Sequence, residues 1–203
     1  MIFHDIQQNT EEWEALRVAK VTASNFGKFM ANDGKSFGEP AMRYALQIAL
    51  ERITGNKSGS DYSNEHMDRG HDEEPIARLL YEEQNFVDVR NGGFFDCGLY
   101  GDSPDGLVGD GVIEIKSVIE PTHYATLKRG SFDPSYRWQL IGHLDCTGCD
   151  WVEFISYCAK FPPHNQLIIH RLYRKDYADE IARLRARRTL FLVEVDKIET
   201  EIK

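Results

Sequence analysis

The chain has 203 residues, 41% hydrophobic and 28% charged, with a net charge of −9. That is enough for one domain with a sizeable core, and no apolar run of about 18 residues is present to span a membrane. The acidic opening MIFHDIQQNTEEW does not read as a signal peptide, so a cytoplasmic protein is expected. A passive nucleic-acid coat is usually basic. The acidity argues against that class without excluding DNA, because carboxylates gathered around cations are locally compensated.

The first half reads as helical. NTEEWEALR carries a capping pattern, Asn9 with Glu12 three residues on. TASNFGKFM starts a second helix at a Thr or Ser cap. PAMRYALQIALERITG has Pro40 in its first turn and Gly55 just past its end. NEHMDRGHDEEPIARLLYEEQ is one or two helices, broken near Gly70 or Pro75, with Ile76, Leu79 and Leu80 as its apolar face. Strands follow at 86–90, 92–101 and 111–118, then a helix from about Thr122 and another over PSYRWQLIGHLDC. Two more strands, DWVEFISYCA and QLIIHRLYR, precede a long amphipathic helix over 175–200. This order predicts an α/β fold, a central mixed β-sheet flanked by helices. It divides a single domain, 1–203, into a helical part (1–84), a sheet-centred core (85–173) and the last helix. The basic run RLRARR at 183–188 is assigned to solvent.

The stretch SPDGLVGDGVIEIKS, 103–117, carries the chemistry. Alternate side chains of a strand share a face, so Ile113 and Ile115 point one way and Glu114 and Lys116 the other. Asp105 lies in a tight bend between Pro104 and Gly106. If 92–101 and 111–118 are neighbouring strands, that bend brings Asp105 toward Glu114. Two such carboxylates suit Mg²⁺, which takes oxygen ligands and keeps several waters, and a nearby lysine adds positive charge. The competing reading is an exposed Glu–Lys pair. Tyr136 and Gln139 are three apart on one helix face, and His143 extends that face by a turn, with a core histidine the simpler reading for it. The four cysteines, Cys97, Cys146, Cys149 and Cys158, read best as small core residues. A zinc site or iron–sulfur cluster is the alternative.

PDG followed by EIK resembles the PD-(D/E)XK nuclease signature. Three further motifs, WEALRVAKVTASNFG, RGHDEEPIARLLYEE and PSYRWQLIGHL, resemble in the same order those of the phage lambda exonuclease family. The resemblance implies a PD-(D/E)XK restriction-endonuclease-like core and a Mg²⁺-dependent 5′-to-3′ exonuclease. Such an enzyme acts on double-stranded DNA ends, leaving 3′ single strands for phage recombination. It further implies two ions per site, with Mn²⁺ a substitute, a homotrimeric ring and a single-strand annealing protein as partner. By motif position Asp105, Glu114, the Ile115 carbonyl and Glu74 are metal ligands, with Glu73 an alternative register, and Lys116 acts on the attacking water. Gln139 and Tyr136 face the site. Arg17, Thr22, Ser24 and Ser103 form a 5′-phosphate pocket, and Met67 is an apolar wedge. The family's arginine beyond the lysine strand is replaced by Thr122 or His123, so His123 is the expected phosphate-side group there. A restriction-like endonuclease and a non-catalytic DNA-binding scaffold are the rival readings.

Overall fold

The computed structural model describes residues 1–32, 35–58 and 65–203, with the backbone alone for 65–68 and 71. A short strand, β1 (Ile2–His4), leads into helix α1 (Glu11–Arg17). Thr10 caps α1, its side chain accepting from the Trp13 amide. The cap is therefore one residue past the expected Asn9, which takes φ 63 in the preceding turn. An N-cap needs extended backbone, whereas Asn tolerates the left-handed conformation the turn requires. Strand β2 (Val21–Thr22), a 3₁₀ turn at Ala23–Asn25 and helix α2 (Phe26–Met30) come next, then α3 (Glu39–Thr54). Pro40 sits in the first turn of α3 and Gly55 closes it at φ 67, donating its amide to the Glu51 carbonyl.

Helix α4 (Glu65–Asn85) runs unbroken through Pro75. Pro75 is on the exposed side, where a carbonyl left without its donor can take water instead. The buried face of α4 is Ala77 and Tyr81, packed with Ile113 and Ile115. The expected apolar face is rotated from this, with Ile76 and Leu79 51% and 56% exposed. Position on the sheet, not side-chain size, selects the inward stripe.

Strands β3 (Arg90–Asn91), β6 (Gly106–Val108), β7 (Gly111–Ser117), β8 (Trp151–Tyr157) and β9 (Leu167–Tyr173) form a five-stranded mixed sheet in that order. Within this sheet the parallel pair is β7 and β8, and helices α5 (Glu120–Arg129) and α6 (Arg137–Thr147) make the crossover between them. Strands β4 (Phe94–Asp96) and β5 (Tyr100–Asp102) join β1 and β2 in a second sheet, ordered β1-β4-β5-β2. The strand expected at 86–90 shrinks to its last residue, because Phe86 turns out of α4 at φ 56 with its ring 95% exposed. The strand expected at 92–101 folds back on itself around Gly98, φ 89.

The chain ends on α7 (Ala178–Ile202). Phe191 packs between Phe29 and Tyr44, at centroid distances of 4.8 and 5.7 Å. The basic run is solvated only in part: Arg183 and Arg185 are exposed, whereas Arg187 and Arg188 are buried. Arg187 donates to the carbonyls of Phe29 (3.0 Å) and Lys35 (2.7 Å). Arg188 and Arg185 clamp the two oxygens of Asp145 at 2.7 and 2.6 Å. A buried aspartate needs such partners, since removing them leaves an uncompensated charge in low dielectric. All four cysteines are free, Cys146 and Cys158 buried and the other two half-buried.

Helix α6 presses on the Ala23–Asn25 turn and α2 at Gly142, where an added Cβ would meet Ala23 Cβ and Phe26 Cδ2 at 2.8 Å. Gly142→Ala should destabilise the protein by about 1–3 kcal/mol by overpacking, despite the better helix propensity of alanine. Gly27→Ala, with nothing within 4 Å of the new methyl, should be neutral or stabilising. Urea unfolding of the two variants checks this.

Candidate active site

Strand β7 is the centre of the site. Its apolar residues Ile113 and Ile115 face α4, which leaves Glu114 and Lys116 on the side of α6. Asp105 arrives through the β6–β7 hairpin, not by pairing of 92–101 with 111–118. Its amide donates to the Ile113 carbonyl (3.0 Å) and its Oδ2 accepts from the Ile115 amide (2.6 Å). N–H and C=O of one strand residue point to the same edge. The Ile115 carbonyl therefore also faces the Asp105 side, past the start of β6 at Gly106. The bend before Asp105 is pinned by Gln8, whose Nε2 donates to the Pro104 carbonyl at 2.7 Å. Gly92 lies so close that a Cβ there would come within 1.7 Å of the same oxygen.

Asp105, Glu114, Ile115, Lys116 and Glu74 line one cavity of about 720 Å³ with Tyr136, Gln139, Arg17, Thr22, Ser24 and Ser103. Among the described site residues expected from the sequence, His123 stands apart. His123 is buried, its Nδ1 2.8 Å from Ser156 Oγ and its Nε2 2.8 Å from the Asn165 carbonyl. Both ring nitrogens are spent inside the core, and burial lowers its pKa. His123 therefore cannot serve as the phosphate-side cation, and Thr122 lines the cavity in its place. The side chain of Met67 lies outside the described residues. In the α4 register Glu74 faces the cavity, while Glu73 accepts from the Ser117 hydroxyl.

Glu114 is 1% exposed and heavily compensated. Its Oε1 takes Lys116 Nζ at 2.5 Å and Gln139 Nε2 at 2.6 Å. Its Oε2 stands 2.8 Å from His143 Nε2, an ion pair off the ideal hydrogen-bond line, and neither atom has a well-aligned hydrogen-bond partner. The other nitrogen of His143, Nδ1, is 2.8 Å from Asp102 Oδ2. Burial alone would raise the Glu114 pKa, but Lys116 and His143 outweigh it and hold the carboxyl at about 2. Burial likewise opposes charge on His143, and the carboxylates of Asp102 and Glu114 overcome it, raising the imidazole to about 10. Lys116 is raised by Glu114 and Asp105 against burial. Asp105 is less well supported: burial, then the Glu114 and Glu74 charges, outweigh Lys116 and the Ile115 amide and push it well above the usual carboxylate range.

A second cluster lines the same cavity. Ser103 Oγ accepts from Trp13 Nε1 (2.9 Å) and from Arg17 Nη1 (3.3 Å), and the Arg17 guanidinium stacks 3.9 Å above the Trp13 ring. Thr22 and Ser24 hydroxyls meet at 3.3 Å beside it. Sequence reasoning missed Asp102 and left His143 to the core. The signal was present, because His143 follows Gln139 by one helical turn and Asp102 opens the GDSPD bend.

The donor chemistry fits a divalent cation. Asp105, Glu114 and Glu74 are mutually repelling oxygens in one cavity, and Glu114 Oε2 is buried without a hydrogen bond. Among the described residues no three acidic, His or Cys side chains already stand as a cation cage. Glu114 is turned instead onto Lys116 and Gln139.

Asp105 in the bend before β6, beside Glu114 and Lys116 on β7 of a mixed sheet, is the arrangement of a nuclease of the PD-(D/E)XK type. The chain belongs to the YqaJ-like viral recombinase family, whose domain matches residues 12–150. It is similar to the alkaline exonuclease LHK-Exo from Laribacter hongkongensis, at 34% identity and TM-score 0.84, over 95% of this chain and 96% of that one. A structure of LHK-Exo in complex with dAMP matches at 35% identity and TM-score 0.86, over 96% of each chain. A phage-related exonuclease from Haemophilus somnus 129PT shares the fold, at 14% identity and TM-score 0.72 over 91% of this chain and 96% of that one. No curated protein sequence matches the chain. Among the described residues no helix is long and apolar enough to cross a membrane.

The raised Asp105 carboxyl fixes a sign. In the folded, cation-free protein it binds its proton more tightly than in the unfolded chain, so stability falls as pH rises above the ordinary aspartate value of 3.8 toward the folded pKa. In EDTA at neutral pH Asp105→Asn should therefore melt higher than the unsubstituted protein, with the difference closing toward pH 4. Thermal unfolding across that range measures it.

Proposed function

We propose that this chain is a Mg²⁺-dependent exonuclease that degrades one strand of duplex DNA from the 5′ end and leaves a 3′ single strand for annealing during phage recombination. The observation that carries the reading is the single cavity joining the Asp105–Glu114–Lys116 group to the Arg17–Ser103 cluster. That cavity holds both the groups that phosphodiester hydrolysis needs and a forked cation with hydroxyls suited to a terminal phosphate. Relatives described as exonucleases support it, and the dAMP bound by one of them is a mononucleotide of the kind stepwise cleavage releases.

In this reading Asp105, Glu114, the Ile115 carbonyl and Glu74 hold Mg²⁺, two ions per site, with Mn²⁺ able to substitute. The bound cation supplies Lewis acidity toward the phosphoryl oxygen. Lys116, an ammonium 5.2 Å from the centre of the Tyr136 ring, donates to the attacking water and offsets charge developing on the phosphoryl group. Gln139, freed from Glu114, can hold a water or a phosphate oxygen. A ring of three subunits around DNA and a single-strand annealing partner complete the reading through the family resemblance.

Time-resolved digestion of end-labelled linear duplex, with Mg²⁺ or EDTA, tests polarity, end dependence and metal need together. Mononucleotide release from the 5′-labelled strand is expected, with none in EDTA and none from covalently closed duplex. Cutting of closed duplex would instead indicate an endonuclease. Asp105→Ala and Glu114→Ala should lower turnover by about 10³-fold or more while duplex binding persists. Lys116→Ala should depress kcat more than it raises KM. Arg17→Ala should slow 5′-phosphorylated ends by about 10-fold more than 5′-hydroxyl ends, since a charge-assisted contact contributes about 1.5–3 kcal/mol. Single-turnover rates on the two substrates measure that ratio.

A further inference from the structure

We infer that His143 is a positioning residue for the cation site, holding the Glu114 carboxylate through Nε2 while Asp102 anchors its ring through Nδ1. The inference rests on the Mg²⁺ reading above and adds to it a residue that never touches the cation. Asp102, His143 and Glu114 form a line of contacts at 2.8 and 2.8 Å, and each is almost wholly excluded from solvent. Oε1 of Glu114 has two donors from the cavity side, Lys116 and Gln139, both on side chains that can swing away. Oε2 has only the imidazole, a rigid ring packed inside α6 and tied at its far nitrogen to β5. When Lys116 and Gln139 let go, His143 is what still fixes the plane of the carboxylate. Without it, Glu114 would be free to rotate, and the cation would have to order it at the moment of binding. Removing such outer partners of a metal ligand typically costs about 10- to 100-fold in metal affinity.

Two substitutions separate the bonds. The amide of asparagine overlies the Nδ1 position of histidine, and that of glutamine overlies Nε2. His143→Asn therefore keeps the contact to Asp102 and loses the one to Glu114, whereas His143→Gln does the reverse. Mn²⁺ binding to the purified, DNA-free protein, followed by the electron paramagnetic resonance of free Mn²⁺, is the readout, with urea unfolding in EDTA alongside. Each variant loses one buried contact, so their unfolding midpoints should be similar. Their Mn²⁺ affinities should split: Asn weaker than the unsubstituted protein by about 10- to 100-fold, Gln within about 3-fold. Unchanged affinity in a folded His143→Asn would overturn the role, as would equal weakening in both variants. If the Asn variant does not fold, His143→Gln decides, since a loss of about 10-fold there contradicts the inference. Failure of the unsubstituted protein to bind Mn²⁺ would remove the metal site itself and this role with it. A normal site with an unaffected Asn variant would remove only the role.

Discussion

A carboxylate buried as deeply as Glu114 costs several kcal/mol to desolvate unless charge and hydrogen bonds surround it, and much of this structure follows from that requirement. The compensation comes from three directions, Lys116 two residues along the same strand, and Gln139 and His143 from consecutive turns of α6. On another side the same helix settles closely on Phe26 and Ala23, which Gly142 allows. His143 then needs its own counter-charge, which Asp102 at the end of β5 provides, and so the second sheet is tied to the first.

Asp105 shows the other half of the design. It stands within the field of Glu114 and Glu74 with one backbone amide to help it, and its proton is held tightly as a result. The site carries more negative potential than its own cations offset, a condition that a divalent ion relieves. Such strain at a functional centre is stabilised elsewhere, here by the Gln8 contact and the close packing of Gly92 that fix the bend.

Much of this was legible in the sequence because strand parity and helix spacing are local rules. Ile113 and Ile115 against Glu114 and Lys116 could be sorted by alternation, and Tyr136, Gln139 and His143 by the 3.6-residue period. Pro40 and Gly55 marked the ends of α3 for equally local reasons. What could not be read depended on distant packing. The inward stripe of α4 is set by β7, so Ala77 was hidden behind the larger but exposed Ile76 and Leu79. His123 was singled out because it stands where the resembled family has an arginine, yet Ser156 and the Asn165 carbonyl hold it inside. Arg187 and Arg188 looked like a solvated run because their partners, Phe29, Lys35 and Asp145, lie 43 to 158 positions away.

Those last partners carry a consequence for biosynthesis. Asp145 sits two residues past His143 on α6, and both of its cations come from α7. A nascent chain whose residues 185–188 are still within the ribosome leaves this aspartate buried alone or keeps the end of α6 from docking. The cavity that β7 and α6 line would thus be finished only after residues 185–188 of α7 have been made and have docked on Asp145.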